Sequence, residues 1–449
     1  MNKIVGSLFI SLFLFAACKQ KAEEPINVKP VDWWNDATIY EINTRQFSPS
    51  GSFEEVKKQL PRLKEMGVDI LWFMPVQPIG ELQRKGSLGS YYSIQDYTAI
   101  NPEFGNLNDF KELVAEAHNQ GMKVILDWVA NHTSWDAKWI NNDGWYSLDS
   151  TGNKYSPYDW SDVVELNYDN PQMRDEMIKS MRFWVDSVHI DGFRADMAHE
   201  VPTDFWNQAS DSLHKYYPDI FLLAESENPD LMEKAFNMNY AWELHHLLNA
   251  LAQGKASADS LWTFYDKKNK EFTKQDIQMI FTSNHDENSW AGTEFERMGA
   301  SAPMFAALTY LLPGMPLIYN GQEAGFNRRL AFFEKDSIDW DNSSQFTAMY
   351  RHLNKLRKDN PALWSGLDGG TFEEVKNSNP KAILSFKRVR GRNVVYGVFN
   401  LTGSNQKVEI TDTQMEGTFN VFGSTDVIDL NKNLELSLAP YEYKIYTQK

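Results

Sequence analysis

The sequence has little cysteine and comparatively little positive charge. Its one cysteine among 449 residues excludes an internal disulfide, a zinc site built from several cysteines, and thiol redox chemistry. Lys and Arg number 44 against 61 Asp and Glu, which gives a formal net charge of −17. Such acidity disfavours nucleic acid or an anionic membrane surface as a partner. An uncharged ligand such as a sugar fits this charge better.

An apolar run near the N-terminus is the one feature that suggests export. Residues 4–15 are mostly apolar, follow a lysine, and precede small residues and Cys18. This layout is typical of a secretory signal and is too short for a membrane-spanning helix. Cys18 resembles the lipidated cysteine of bacterial lipoproteins, so we predict a signal peptide at 1–17 and a lipid-anchored tether at 18–32. The protein would then be exported, to the periplasm or the cell surface. An ordinary signal peptide with a chance cysteine is the alternative.

Short apolar runs alternate with amphipathic segments from residue 38 onward, and eight of them predict strands. Several are apolar on both faces, as parallel strands covered by helices require. Eight strands alternating with helices predict an α/β fold, a (β/α)8 TIM barrel, over 33–365. The predicted strands lie at 38–42, 69–74, 123–129, 190–195, 220–225, 236–240, 278–283 and 316–321.

Capping residues and a glycine mark the ends of three predicted helices. Ser52 and Glu55 form a capping-box pattern ahead of one helix, which Gly67 ends. Asn106 can cap the next helix, and Asn170 precedes a proline that begins another. Each of these helices falls between two predicted strands, as the barrel requires.

Two segments depart from the alternation of strands and helices. Residues 133–170 are polar and rich in Trp and Asp, so we predict a small inserted domain after the third strand. After residue 365 the pattern changes to short alternating segments, which predict a C-terminal antiparallel β-sandwich at 366–449.

Polar side chains follow several of the apolar strands, at the end where barrel enzymes place their catalytic groups. Two carboxyl groups in different protonation states are what cleavage of a glycosidic bond requires. The sequence therefore predicts an active site for that chemistry at one rim of the barrel. Its candidate residues are Asp127, Asn131 and His132 after strand three, Arg194 and Asp196 after strand four, Glu225 after strand five, and His285 and Asp286 after strand seven.

The spacing of these residues suggests individual roles. Arg194 lies two residues before Asp196, so both should point to one face of the strand. We expect the guanidinium to keep Asp196 ionised by its proximity. Glu225 follows an apolar run, a setting that favours the protonated carboxyl and suits a general acid. The side chains that can hydrogen-bond sugar hydroxyls are His132, His285 and Asp286.

Four motifs resemble, in order and spacing, the signature regions of the α-amylase family, glycoside hydrolase family 13. The resemblance implies a TIM barrel that hydrolyses mainly α-1,4 bonds in starch-derived glucans or maltooligosaccharides, with retention of configuration. The motifs are DWVANH (127–132), GFRADMAHE (192–200), LLAES (222–226) and FTSNHDEN (281–288), with further matches at 91–105, 311–323 and 350–363.

The resemblance also implies roles for individual residues. Asp196 would be the nucleophile, Glu225 the general acid/base, and Asp286 the third carboxylate, which holds and distorts the sugar. Tyr92 would stack on that sugar, with Asp96 supporting an Arg or Tyr nearby. A retaining mechanism implies about 5–5.5 Å between the carboxyl groups of nucleophile and acid/base. The side chains implied to bind the same sugar are Arg194, His132 and His285.

Two features of the sequence depart from typical α-amylases. The stretch AHE is similar to the ANE of neopullulanase and cyclomaltodextrinase enzymes, with Glu200 replacing a His that often contributes a calcium-binding carbonyl. Asn131 matches a calcium-ligand position, and Glu165 stands near one where Asp is common. Calcium takes several oxygen ligands, so a structural calcium near Asn131 and a hydrogen-bonded anchor at Asn131 both stay open. The chemistry itself implies no cofactor.

Alternative functions stay open from the sequence. A glucanotransferase shares the same covalent intermediate, and the outcome depends on whether water or an acceptor sugar reaches it. A catalytically inert glucan-binding surface protein is a second alternative, although such proteins typically lose the nucleophile or the acid. Tryptophans in the predicted small inserted domain at 133–170 are candidate sugar platforms or packing residues of that domain. They are Trp135, Trp139, Trp145 and Trp160.

Overall fold

The structure is a computed structural model that describes residues 33–340, 344–411, 417–430 and 434–448. The predicted signal peptide, the tether and Cys18 lie outside the described residues. Within those residues, every helix is too short or too polar to span a membrane.

Eight parallel strands close into a barrel, in the order β1-β10-β9-β8-β7-β6-β3-β2, while β4 and β5 pair antiparallel with each other. All eight barrel strands coincide with predicted strands to within a few residues, so the (β/α)8 prediction is confirmed. In chain order the ten strands of this region are β1 (Ile39–Ile42), β2 (Ile70–Phe73), β3 (Lys123–Val129), β4 (His132–Ser134), β5 (Val163–Glu165), β6 (Gly192–Asp196), β7 (Phe221–Ala224), β8 (Met238–Tyr240), β9 (Ile277–Ile280) and β10 (Met315–Tyr319).

Helices follow most of the barrel strands, and the connection from β7 to β8 contains a single 3₁₀ turn instead. The long segment that follows β3, up to residue 170, is called the excursion below, and it contains the short β4–β5 pair. In the described part of the chain, the α-helices are α1 (Thr44–Phe47), α2 (Phe53–Met66), α3 (Leu107–Asn119), α4 (Pro171–Val188), α5 (Thr203–His214), α6 (Trp242–Ala252), α7 (Ser260–Glu271), α8 (Glu294–Met298), α9 (Ala302–Thr309) and α10 (Gln345–Asp359).

The helix ends follow the predicted capping in all but one case. Asn106 accepts hydrogen bonds from two backbone N–H groups of α3, and Asn170 accepts one from α4. Gly67 ends α2 with φ of 90°, a left-handed conformation that favours glycine. Ser52 precedes α2 as predicted, but the capping box is wrong. Its hydroxyl lies 3.0 Å from the hydroxyl of Ser50, and its side chain does not cap the helix.

Side chains at alternate strand positions fill the barrel interior and close the end of the barrel at which the strands begin. Ile39, Ile125, Leu223 and Met279 belong to this buried layer, as expected where neighbouring side chains of a strand point to opposite faces. The layer supports the opposite rim, where the strands carry polar side chains. Asp127 and Arg194 sit in register across β3 and β6, within the barrel wall.

The C-terminal region is antiparallel, as predicted. Six strands pair in the order β11-β12-β13-β18-β15-β16, and β14 pairs with β17. Apolar side chains from both sheets, among them Ile383, Val398, Val408 and Leu438, form a common core. The strands are β11 (Thr371–Glu374), β12 (Ile383–Arg390), β13 (Asn393–Asn400), β14 (Gln406–Ile410), β15 (Gly417–Val421), β16 (Val427–Leu430), β17 (Leu434–Leu438) and β18 (Tyr443–Gln448).

Candidate active site

A cleft of about 400 Å³ opens at the C-terminal ends of the barrel strands. Its walls come from the segments that follow β2, β3, β6, β7, β9 and β10. The structure thus brings together six side chains that the sequence singled out from separate parts of the chain. They are Tyr92, His132, Asp196, Glu225, His285 and Asp286.

Arg194 lies fully buried below these residues and holds three carboxyl groups. Its Nη1 donates to Oδ1 of Asp127 at 2.9 Å and to Oδ1 of Asp196 at 3.0 Å. Its Nη2 lies 2.9 Å from Oε2 of Glu225, and its Nε donates to the Tyr240 hydroxyl at 3.0 Å. One planar guanidinium therefore fixes Asp196 and Glu225 side by side, while their predicted separation stays a prediction.

The burial of Arg194 favours a role other than the predicted binding of the sugar, which stays a prediction. The side chain is 0% exposed and does not line the cleft. The pleat of β6 points both Arg194 and Asp196 inward, but Arg194 comes two residues earlier and is therefore deeper in the barrel. Arg194 is a positioning residue for the carboxyls above it.

Asp96 makes contacts other than those predicted for it. Its carboxylate accepts hydrogen bonds from the backbone and hydroxyl of Thr98, at 3.0 and 3.1 Å, and pairs with Lys138 at 2.5 Å. It contacts neither Arg194 nor Tyr92, because this local turn and the lysine engage its oxygens. The expectation that Asp96 supports an Arg or Tyr nearby stays a prediction, since the described contacts of its side chain are to Thr98 and Lys138.

Asp127 makes the contacts that were expected of Asp96. Its Oδ1 accepts from Arg194, and its Oδ2 accepts from the Tyr92 hydroxyl at 3.1 Å and from Nε1 of Trp72 at 3.2 Å. The sequence marked Asp127 at a strand end but gave it no role. Its position opposite Arg194 across β3 and β6 was the signal that could have assigned one.

His285 is held from both sides of its ring. Its Nδ1 lies 2.5 Å from Glu41, and its Nε2 lies 2.7 Å from the Tyr92 hydroxyl and 3.3 Å from Asp286. Burial alone would lower the pKa of His285, but Asp286 and Glu41 outweigh it and raise this pKa from 6.5 to about 9. Sequence reasoning missed Glu41, although a carboxylate inside the apolar strand β1 was a visible signal.

The raised pKa of His285 predicts a pH-dependent stability. A group whose folded pKa exceeds its unfolded pKa stabilises the fold fully below the unfolded value, and this stabilisation disappears as the pH rises through the folded value. We expect the contribution, at most about 3 kcal/mol, to be lost between pH 6.5 and about 9. Thermal unfolding across this range should show a smaller drop for Glu41→Gln than for the wild type. Equal drops would contradict the assignment.

Acids outnumber cations in this site. Burial raises the pKa of Asp196 well above its usual range, and Arg194 opposes that shift. Arg194 is shared among three carboxyls, and the expectation that it keeps Asp196 ionised stays a prediction. Where carboxyl groups outnumber the cations beside them, one of the carboxyl groups tends to keep its proton. Cleavage of a glycosidic bond requires one ionised and one protonated carboxyl group. The acids are Glu41, Asp127, Asp196, Glu225 and Asp286, around the cations Arg194 and His285.

His132 is neutral at neutral pH, because burial lowers its pKa to about 4. Its ring lies in the cleft wall, 5.5 Å from Trp160 between ring centroids. A neutral imidazole can donate to or accept from a sugar hydroxyl without a charge to desolvate. Trp160 also lines the cleft, whereas Trp139 and Trp145 pack edge to face against each other.

The groups near Asn131 make contacts within the protein. The Asn131 side chain lies 3.4 Å from the His132 ring, its backbone carbonyl accepts from Leu166, and Glu165 accepts from the Tyr155 hydroxyl. Calcium takes about six to eight oxygen ligands. Across the described ranges, no group of three or more His, Cys, Asp or Glu side chains could hold a metal. A structural calcium and an anchoring role for Asn131 both stay predictions.

An aromatic wall, which the sequence did not reveal, faces the excursion across the cleft. Trp290 is 55% exposed and packs against Phe332, with 5.2 Å between ring centroids. Phe332 in turn lies nearly parallel to Tyr92. Trp290 is only four residues beyond Asp286, and this proximity was the available signal.

Comparison with known proteins agrees with this geometry. The model of the α-amylase catalytic domain matches residues 31–158 and 140–377. α-Amylase MalA of Haloarcula japonica is 27% identical over 384 residues, which cover 82% of this chain and 56% of that protein. α-Amylase 3 of Dictyoglomus thermophilum is 28% identical over 340 residues, 65% of each chain. The chain thus spans about half to two-thirds of the length of these relatives.

A solved structure extends the similarity to 92% of this chain. The noncanonic maltogenic α-amylase AmyB from Thermotoga neapolitana superposes with a TM-score of 0.83 at 27% identity, covering 92% of this chain and 99% of that one. The matched family model spans well over half of the sequence, including every barrel strand. The chain therefore belongs to the family of α-amylase catalytic domains.

Proposed function

We propose that this protein is a retaining glycoside hydrolase that cleaves α-glucosidic bonds, mainly α-1,4, in starch-derived glucans or maltooligosaccharides. The observation that carries the proposal is the pair of Asp196 and Glu225, both at the cleft surface and both beside the guanidinium of Arg194. Two carboxyls presented together to one cavity are the requirement of this chemistry. The names of the related α-amylases support the same substrate class.

In the first step, a carboxylate oxygen of Asp196 attacks the anomeric carbon of the bound glucose unit. The bond from that carbon to the glycosidic oxygen breaks, and protonated Glu225 gives its proton to the departing oxygen. The products are a glycosyl ester on Asp196, an ionised Glu225, and a shortened glucan with a new hydroxyl. Negative charge on Glu225 develops next to Arg194, which lies 2.9 Å away and stabilises it.

In the second step, water hydrolyses the glycosyl ester on Asp196. Ionised Glu225 takes a proton from a water molecule as its oxygen attacks the anomeric carbon, and the ester bond to Asp196 breaks. The released sugar keeps its original configuration, and both acids return to their starting states. The backbone N–H of Met197 donates to Oε2 of Glu225 at 2.8 Å, which fixes the carboxyl for both proton transfers.

The remaining cleft residues suit the binding of a neutral, hydroxyl-rich ring. Tyr92 offers a flat face, and its hydroxyl is held by Asp127 and His285. Asp286, beside His285, can accept hydrogen bonds from two sugar hydroxyls, as a carboxylate has two acceptor oxygens. His132 lines the side of the cleft that the excursion forms.

A product profile tests this function directly. Purified protein should release short sugars from starch and from maltooligosaccharides, and pullulan and cyclodextrin should report its bond and chain-end preferences. Products longer than the starting oligosaccharide, dominant at high substrate concentration, would establish the glucanotransferase instead. Binding to starch without any cleavage would establish the inert binding protein.

We also propose that the protein is exported and held at a membrane through a lipid on Cys18. The support is the sequence alone, an apolar run at 4–15 followed by small residues and a cysteine. A single acyl chain gives only marginal binding, so stable anchoring needs more than one chain. Mass spectrometry of protein purified from its native membrane should find an acylated N-terminal Cys18. An unmodified N-terminus at another residue would contradict the anchor.

A further inference from the structure

We infer that the cleft is a blind pocket that admits the non-reducing end of a glucan chain, and that the ion pair of Lys85 and Asp162 closes it. This inference rests on the proposed function and adds to it the mode of attack. A pocket that is closed at one end excludes the middle of a long chain. The expected substrates are therefore chain ends and short oligosaccharides.

The ion pair joins two loops at the rim that are also joined elsewhere, by Asp96 with Lys138 and by the Ser93 hydroxyl, which donates to the backbone carbonyl of Asp162. Lys85 belongs to the long segment after β2, and Asp162 belongs to the excursion after β3. Their charged atoms lie 3.1 Å apart, and both residues line the cleft. The Asp162 side chain is 5% exposed, so the pair lies partly out of bulk water, where its attraction is stronger than at an open surface.

The same segment after β2 is bonded on its other side to the loop after β10. The backbone N–H of Leu88 donates to the carbonyl of Phe333 at 3.0 Å, and the N–H of Ser87 donates to Glu334 at 3.0 Å. Trp290 then packs against the Phe332 and Phe333 rings from the loop after β9. The wall is thus continuous from the loop after β9 to the excursion.

The excursion is in turn tied to the loop that follows the nucleophile strand. The Tyr158 hydroxyl donates a hydrogen bond to the carboxylate of Glu200. Tyr158 has φ of 54°, a conformation that a non-glycine residue rarely adopts unless its surroundings hold it. This contact lies at the surface, outside the cleft lining, and ties the excursion to the segment after β6 through Glu200, in the unusual AHE stretch.

Together these contacts connect five of the six loops that form the cleft. A glucan chain that ran through the site would have to break one of them, whereas a chain end can enter from the open mouth. The cleft volume of about 400 Å³ lies near the lower end of the range of about 300–1,000 Å³ for small-molecule pockets. This size suits a short segment of a sugar chain.

Two maltoheptaose substrates test the inference, one with a free non-reducing end and one with that end blocked by a bulky acetal. We expect the wild type to cleave the blocked substrate at least about tenfold less efficiently, by kcat/KM. Lys85→Ala, which removes the ion pair from the wall of the cleft, should reduce this discrimination several-fold. Lys57→Ala removes a lysine paired with acids at the surface of α2, and it should keep the wild-type ratio.

Further variants separate an opened wall from a damaged fold. Lys85→Met and Asp162→Asn keep the side-chain volume but remove the ion pair, and both should shift the ratio in the same direction as Lys85→Ala. Equal cleavage of both substrates by the wild type would overturn the inference, as would an unchanged ratio in all three variants at wild-type Tm. Failure to cleave even the unblocked substrate would overturn the proposed function itself.

Discussion

Asp196→Asn should lower kcat on maltooligosaccharides by on the order of 10⁴-fold while the protein stays folded. The amide has nearly the same shape as the carboxylate, and its oxygen can still accept from Nη1 of Arg194, which lies 3.0 Å from Oδ1 in the native protein. It cannot form the glycosyl ester on which the proposed reaction depends. Steady-state rates of the variant and the wild type, compared with Asp211→Asn at an exposed ion pair, measure the effect.

The same substitution should also affect the thermal stability of the protein. Because burial raises the pKa of Asp196, its ionised form at neutral pH costs folding free energy. An uncharged amide removes that cost, so Tm of Asp196→Asn should equal or exceed that of the wild type. Loss of activity together with a large fall in Tm would indicate damage to the fold and would leave Asp196 without support as the nucleophile.

Glu225→Gln should lower kcat on natural glucans by about 10³-fold but have far less effect on α-glucosyl fluoride. The amide cannot protonate a leaving sugar oxygen, whereas fluoride leaves without a proton. The glutamine oxygen can still accept the Met197 N–H that Glu225 accepts at 2.8 Å, so the local structure should persist. Rates on both substrates, with Glu233→Gln as an exposed control, separate loss of acid catalysis from loss of binding.

An added small nucleophile extends this test. Azide needs no general base, so it should react with the glycosyl enzyme of Glu225→Gln and form an α-glucosyl azide. The wild type, in which ionised Glu225 activates water, should gain little from azide. A uniform loss of activity on all substrates, without response to azide, would assign Glu225 to binding rather than to proton transfer.

The barrel could be predicted from the sequence because its strands are short apolar runs with clear boundaries. Asp196, Glu225 and Asp286 could be found for the same reason, since each follows such a run and parallel strands end at one rim. Their protonation could not be predicted from spacing. The proximity of Arg194 to Asp196 suggested an exclusive pair, whereas the closed barrel brings Asp127 and Glu225 to the same guanidinium.

Contacts between residues that are far apart in the chain could not be predicted from the sequence. Glu41 reaches His285 only when β1 closes the barrel against β10. Asp96 resembled a supporting carboxylate by motif, but it is engaged by a local turn and by Lys138. The pairing of Lys85 with Asp162 joins two loops whose conformations no local pattern specifies. Such contacts depend on how the loops pack, which the strand pattern does not determine.

Trapping the covalent intermediate would identify the nucleophile without reliance on rates. A fluorinated α-glucosyl fluoride, which forms the glycosyl ester quickly and loses it slowly, should be incubated with the Glu225→Gln variant, and the digested protein analysed by mass spectrometry. We expect one glucosyl adduct, on the peptide that contains Asp196 and at that side chain, with none in Asp196→Asn. An adduct at another carboxyl, or turnover to the inverted anomer without any adduct, would contradict the account.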